Sequence, residues 1–147
     1  MSSTFKYRFR SPLGGLAADL TAEYAPAGAG DEFQRGFFLQ IDRKVHLTLP
    51  AGIHWRDASW LSYGLAAHAP ALMSRYPEGL SVRVTSFTFP LAHFRSEVAA
   101  LAMDGWLRQQ FDLPDLGLGV SFDAAKGSYT FRWGEDTAPF SDDLAPL

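Results

Sequence analysis

Four histidines, His46, His54, His68 and His93, are the first residues to weigh for chemistry, because imidazole is the commonest ligand and proton carrier near neutral pH. A metal centre needs ligands that converge, normally with one close pair in sequence. His54 and Asp57 straddle a predicted helix start. His68 falls inside a predicted helix, with no histidine or carboxylate at i+3 or i+4. The four therefore read as ordinary surface or edge histidines, and neither a metal nor a cofactor is implied. The chain has no cysteine, which removes disulfides, a thiol nucleophile and thiolate zinc sites.

Other chemistries fare no better. There is no Gly-x-Ser-x-Gly elbow, and Ser59, Ser62, Ser86 and Ser96 read as cap or surface residues. Gly28 and Gly30 lie between two predicted strands, with no helix behind them to aim its dipole at a phosphate. Asp112 and Asp115 flank Pro114 in a connector and read as solvated. Glu97 and Asp104 share one face of a predicted helix, a face expected to be exposed.

The cluster that stands out is Arg43, Lys44, His46, His54, Trp55 and Arg56, which brackets the strand and turn ahead of the first helix. Basic and aromatic side chains together can hold a phosphate backbone and stack a base, or bind an anionic small molecule. The plainer reading is a polar loop with its Trp tucked into the core. His93 joins the candidate binding residues through a second loop, residues 87–95.

Strands, helices and turns must position these residues. Phe5, Tyr7 and Phe9 alternate with Lys6, Arg8 and Arg10, and Ala18 to Tyr24 alternates likewise, so both segments read as half-buried strands. Phe33 to Ile41 reads as a third strand, and Val45 to Leu49 as its continuation or a separate one. Asp57 is the expected N-cap of a helix carrying Leu61, Leu65, Leu72 and Tyr76 on one face, kinked or broken at Pro70. Leu80 to Thr85 is the clearest strand. A second helix runs from Ser96 and Glu97 to about Phe111, with Ala99, Ala100, Ala102 and Gly105 small enough for close approach to a sheet. Val120 and Phe122 then face Tyr129, Phe131 and Trp133 across a turn at Gly127. The expected fold is α+β: a single mixed or antiparallel sheet, two helices packed on one face, and a C-terminal hairpin. Residues 1–134 read as one domain and 135–147 as an acidic, mobile tail.

This order resembles domain IV of elongation factor G and of the tetracycline ribosomal-protection proteins. The resemblance rests on Leu16 to Pro26 followed by Gly28, Gly30 and Phe33, on Leu80 to Thr85, and on Phe94-Arg95-Ser96-Glu97-Val98-Ala99. It implies a ribosome- or RNA-proximal accessory domain. The GTPase domain of those factors is absent from this chain. Where elongation factor G reads Asp-Gly-Ser-Tyr-His, the matching stretch here is Phe87-Thr88-Phe89-Pro90-Leu91.

With 147 residues, 47% of them hydrophobic, the chain is large enough for one real core. No apolar run approaches the roughly 20 residues of a membrane helix, and no signal peptide pattern opens the chain, so a cytoplasmic protein without a membrane partner is expected. A net charge of −3 argues against strong, non-specific nucleic-acid binding. The leading expectation is a non-enzymatic binding domain whose partner is a ribosome, RNA or protein. A small cofactor-independent enzyme with an aromatic-lined pocket for a small-molecule ligand is the alternative, and a homodimeric module built on an exposed strand edge is another.

Overall fold

The computed structural model describes residues 2–26 and 38–135. The expectations placed on Gly28, Gly30, Phe33 to Phe37 and the segment 136–147 lie outside the described residues.

Strands β1 (Ser3–Phe9), β2 (Leu16–Pro26), β3 (Phe38–Asp42), β4 (Val45–Thr48) and β5 (Leu80–Thr88) form one mixed sheet in the order β1-β2-β5-β4-β3. Every pairing is antiparallel except β4 with β5, which runs parallel in the register Val45↔Leu80 to Thr48↔Arg83. Parallel neighbours need a crossover, and helix α1 (Trp55–Arg75) supplies it. Period-two alternation sends Leu16, Ala18, Leu20 and Ala22 of β2, Val45 and Leu47 of β4, and Leu80, Val82 and Val84 of β5 to one buried face. The residues after Asp42 thus make a separate strand that turns back on β3 at Arg43 and Lys44.

Helix α2 (Glu97–Phe111) packs on β1 and β2, and α1 on β3 and β4. Of the two expectations at Pro70, a kink or a break, the break does not occur: α1 is continuous through Arg75. Pro70 and Ala66 are both exposed, so the Ala66 carbonyl that proline leaves without an amide partner lies open to water. Every residue of α2 from Val98 to Leu107 is buried. The sheet lies on one side of it, α1 beside it and strand β6 (Leu118–Asp123) on a third side. A helix covered on several sides is apolar nearly all round.

The closing hairpin, β6 with β7 (Ser128–Trp133), is a two-stranded sheet of its own. It turns at Gly127, whose φ is 63°. Trp133 stacks on Trp60 of α1 with ring centroids 4.7 Å apart, and Tyr129 meets Phe9 edge-on. Among the described residues, no helix is long and apolar enough to cross a membrane.

The two helices run in the same direction and touch along their lengths. A Cβ on Gly64 would lie 2.7 Å from the Ala100 carbonyl oxygen and 2.9 Å from Met103 Cβ. On an open helix, Gly→Ala stabilises by about 1 kcal/mol. Here the added methyl strikes backbone, and overpacking of this kind costs about 1–3 kcal/mol. Gly64→Ala is therefore expected to lower stability in urea unfolding. Unchanged or increased stability would mean that the helices do not meet this closely.

Candidate binding surface

Because α1 and α2 each follow one of two parallel strands, both begin at the same end of the sheet. That end gathers the β1–β2 turn, the start of α1 and the loop between β5 and α2. His54, not Asp57, caps α1: its Nδ1 accepts the Arg56 amide at 3.1 Å. A cap three residues earlier moves Asp57 into the first turn, where it is buried and bonded to the Ser96 side chain at the start of α2. Burial pushes the Asp57 carboxyl above its ordinary value, and the Ser96 bond and nearby His54 oppose the rise. Ser96 itself makes no side-chain cap bond.

The early helix start also leaves Trp55 outside the core, contrary to the plainer sequence reading. It is 63% exposed, while Trp60, Trp106 and Trp133 are buried. The His54 ring stacks on it at 5.8 Å and 26°, and the Arg56 guanidinium lies 5.2 Å from its centroid. Leu91, 88% exposed, projects from the short 3-10 turn Leu91–His93, and Leu13 is exposed on the β1–β2 turn. Beneath them Phe89 stacks on Phe94, with Phe87 packed edgewise against Phe94. Arg95 lies 3.8 Å from Glu97, and Arg10 is exposed.

The structure does not bring the rest of the predicted cluster to this end. Arg43 and Lys44 form the β3–β4 turn, and Lys44 Nζ donates to the Pro77 carbonyl at 2.7 Å, just past the end of α1. The 21 residues of α1 span about 30 Å, so these two cations sit at the opposite end from His54, Trp55 and Arg56. His46 lies between the two ends, half-buried on the sheet face turned away from the helices. His93 does join Trp55's end: its ring packs so closely on the β1–β2 turn that a Cβ on Gly14 would be 2.6 Å from its Cε1.

Sequence reasoning missed a buried polar network between the helices. His68 Nε2 lies 2.7 Å from Asp104 Oδ1, with the two side chains 1% and 2% exposed. Arg108 reaches the other carboxylate oxygen through Nε and Nη2, both at 3.1 Å. His68 is therefore no surface histidine, and the face carrying Asp104 is not exposed. The signal was present: His68 falls in the Leu61, Leu65, Leu72 stripe, and Asp104 interrupts an apolar run. Tyr7 lies near enough to feel this carboxylate. Burial, joined by Asp104 and opposed by Arg132, pushes its phenol up to about 12. Among the described residues, no three His, Asp or Glu side chains group closely enough to hold a metal ion.

No protein family matches the chain, and searches of curated proteins and of solved structures return no match either.

Removing Asp104 leaves His68 buried without its partner, and losses of this type run to about 3–5 kcal/mol. Asp104→Ala should fall in that range by urea unfolding, and His68→Leu with Asp104→Leu should recover part of the loss. A single variant as stable as wild type would show that the network is not structural. Asp57 gives a pH test. Its folded value is raised, so the folded chain holds the proton more tightly than the unfolded one. Its contribution is full below the ordinary 3.8 and is lost as pH rises through the folded value. Asp57→Asn keeps an acceptor for Ser96 and should flatten that decline, read as Tm from pH 4 to 7 against wild type. Identical profiles would remove Asp57 from the pH dependence.

Proposed function

We propose that the protein is a non-enzymatic binding domain that meets a ribosomal or RNA partner through the end where both helices begin. The observation that carries this reading is the exposed Trp55, stacked on His54 and overlaid by Arg56. An exposed indole already paired with an imidazole and a guanidinium offers the aromatic and cationic groups that a splayed base and its phosphates use. Arg10 and Arg95 add positive charge at the same end, and the two helix N-termini add partial positive charge. The resemblance to domain IV supports the same reading, because Phe87-Thr88-Phe89-Pro90-Leu91 matches the loop ahead of that family's last helix. In this chain that loop presents Leu91 rather than a polar tip.

A protein partner is the second reading, favoured by the exposure of Leu13 and Leu91 at the same end of the sheet as an exposed tryptophan and arginines, side chains that anchor protein interfaces. The enzyme alternative asks for a histidine beside an acid in a pocket. His93 does line a groove, but the other ionisable side chains there are Arg8 and Arg10.

Trp55 reports its own occupancy, since the other three tryptophans are buried. Single-stranded RNA or ribosomes should change the fluorescence of wild type at low salt, with the change absent in Trp55→Phe and weakening as salt rises. Trp55→Ala should weaken binding by about 5- to 150-fold, the equivalent of the roughly 1–3 kcal/mol of one stacked base. Wild-type protein that binds neither, or a Trp55→Ala variant that binds equally well, would sink the proposal.

A further inference from the structure

Around the corner from Trp55, the β1–β2 turn and the 3-10 turn enclose a groove of about 350 Å³ lined by Arg8, Arg10, Gly14, Gly15 and His93. We propose that this groove is a phosphate-group subsite. Its ionisable side chains are all basic. Arg10 makes no hydrogen bond or ion pair among the described residues, so its guanidinium is uncommitted. Arg8 is only partly committed. Its Nη1 donates to the Tyr7 carbonyl at 2.7 Å and to the Ala18 carbonyl at 3.4 Å, and its Nη2 lies 2.8 Å from Asp19 Oδ1. That Asp19 oxygen is buried, and the pair is a close guanidinium–carboxylate contact, so an incoming anion shares Arg8 with Asp19.

The groove wall is built to stay bare. Gly14 and Gly15 hold φ values of +103° and +100°. A side chain on Gly14 would collide with the His93 ring, and one on Gly15 would come within 2.0 Å of the Phe9 carbonyl oxygen. Backbone and imidazole therefore form the wall where a side chain would otherwise fill the space. His93 Nδ1 is sealed from solvent and has no hydrogen-bond partner among the described residues, so packing holds the ring on this side. Ser11 Oγ, 2.8 Å from the Tyr129 hydroxyl, ties this turn to the hairpin. The volume lies at the small end of the range for small-ligand pockets. A second groove of about 370 Å³ shares Arg8 and Ala17 with the first and holds Asp19, whose carboxylate opposes an anion here.

The source of the phosphate rests on the reading above, a nucleic-acid backbone lying beside Trp55; the site itself does not. The experiment is a titration of the full chain, isotope-labelled for NMR, with inorganic phosphate, pyrophosphate and single-stranded RNA. Saturable shifts of the Gly14 and Gly15 amides are expected with all three. Arg10→Gln should weaken phosphate binding at least fivefold, Asp19→Asn should strengthen it, and Arg43→Gln on the β3–β4 turn at the opposite end of the sheet should leave it unchanged. With RNA, Arg10→Gln should lower the salt slope by about one while keeping the Trp55 fluorescence change. Trp55→Phe should keep the phosphate shifts. Binding of free phosphate without RNA supports the groove and overturns the nucleic-acid source. Absence of saturable phosphate binding, or equal binding by wild type, Arg10→Gln and Asp19→Asn, overturns the groove whatever RNA does.

Discussion

Two helices that run in the same direction, side by side, place like partial charges against each other at both ends. The fold cannot avoid this, because α1 and α2 follow parallel neighbours β4 and β5 and return across the same face. Three contacts along the seam offset it. At the starts, the Asp57 carboxyl of α1 bonds the Ser96 side chain at the first residue before α2. At the ends, Arg75 in the last turn of α1 donates to the carbonyls of Phe111 and Asp112, where α2 finishes. Midway, His68 meets Asp104. Arg75 sets a base beside the negative ends, as the helix dipoles require, while Asp57 joins the two starts through its Ser96 bond with its carboxyl pushed above the ordinary value by burial. The small residues of the seam bring the helices close enough for these side chains to reach across.

Several features of the surface follow from that seam. Asp57 is drawn inward to Ser96, so the capping role passes back to His54, and Trp55 becomes the first helical residue on the exposed side. The same alignment of helix starts collects the β1–β2 turn and the β5–α2 loop at one end. Leu13, Trp55 and Leu91 share that end because the topology puts three loops there, although they are far apart in the chain. At the opposite end lie the β3–β4 turn and the end of α1, with Lys44 bonded to the Pro77 carbonyl.

Periodicity was enough to read the fold. The alternation of β2 and β5, the Leu61-Leu65-Leu72 stripe and the turn at Gly127 all correspond to elements in the structure, because each depends on local pattern and a single buried face. Three readings depended on surroundings that only the folded chain supplies, and there the local rules pointed elsewhere. Asp57 has the chemistry of a cap but is claimed by Ser96. Pro70 normally interrupts a helix, but its exposed position leaves the orphaned carbonyl to solvent. Glu97 and Asp104 do share a face, yet burial by the sheet, α1 and β6 makes Asp104 an internal anchor. The basic-aromatic cluster failed for a geometric reason. Residues 43–56 are close in sequence, but β4 and the turn after it carry the chain from one end of the sheet to the other.

Net charge is a poor guide to what such an end can bind. At physiological ionic strength, interactions between exposed charges fade over about 8 Å, whereas α1 alone is about 30 Å long. Glu78 and Asp112 lie past the far ends of the helices, so they contribute little to the potential at Trp55. Among the described residues the local set is different: Arg8 with Asp19 drawn to it, Arg10, Arg56 over Trp55, Arg95 with Glu97 near it, and Asp57 buried with its carboxyl pushed toward the neutral form. Two helix N-termini add to it with the same sign. A chain that is acidic overall can therefore present one electropositive end without presenting a basic surface elsewhere. An anionic partner would then be selected by position on the molecule, and non-specific attachment along the remaining surface would be repelled.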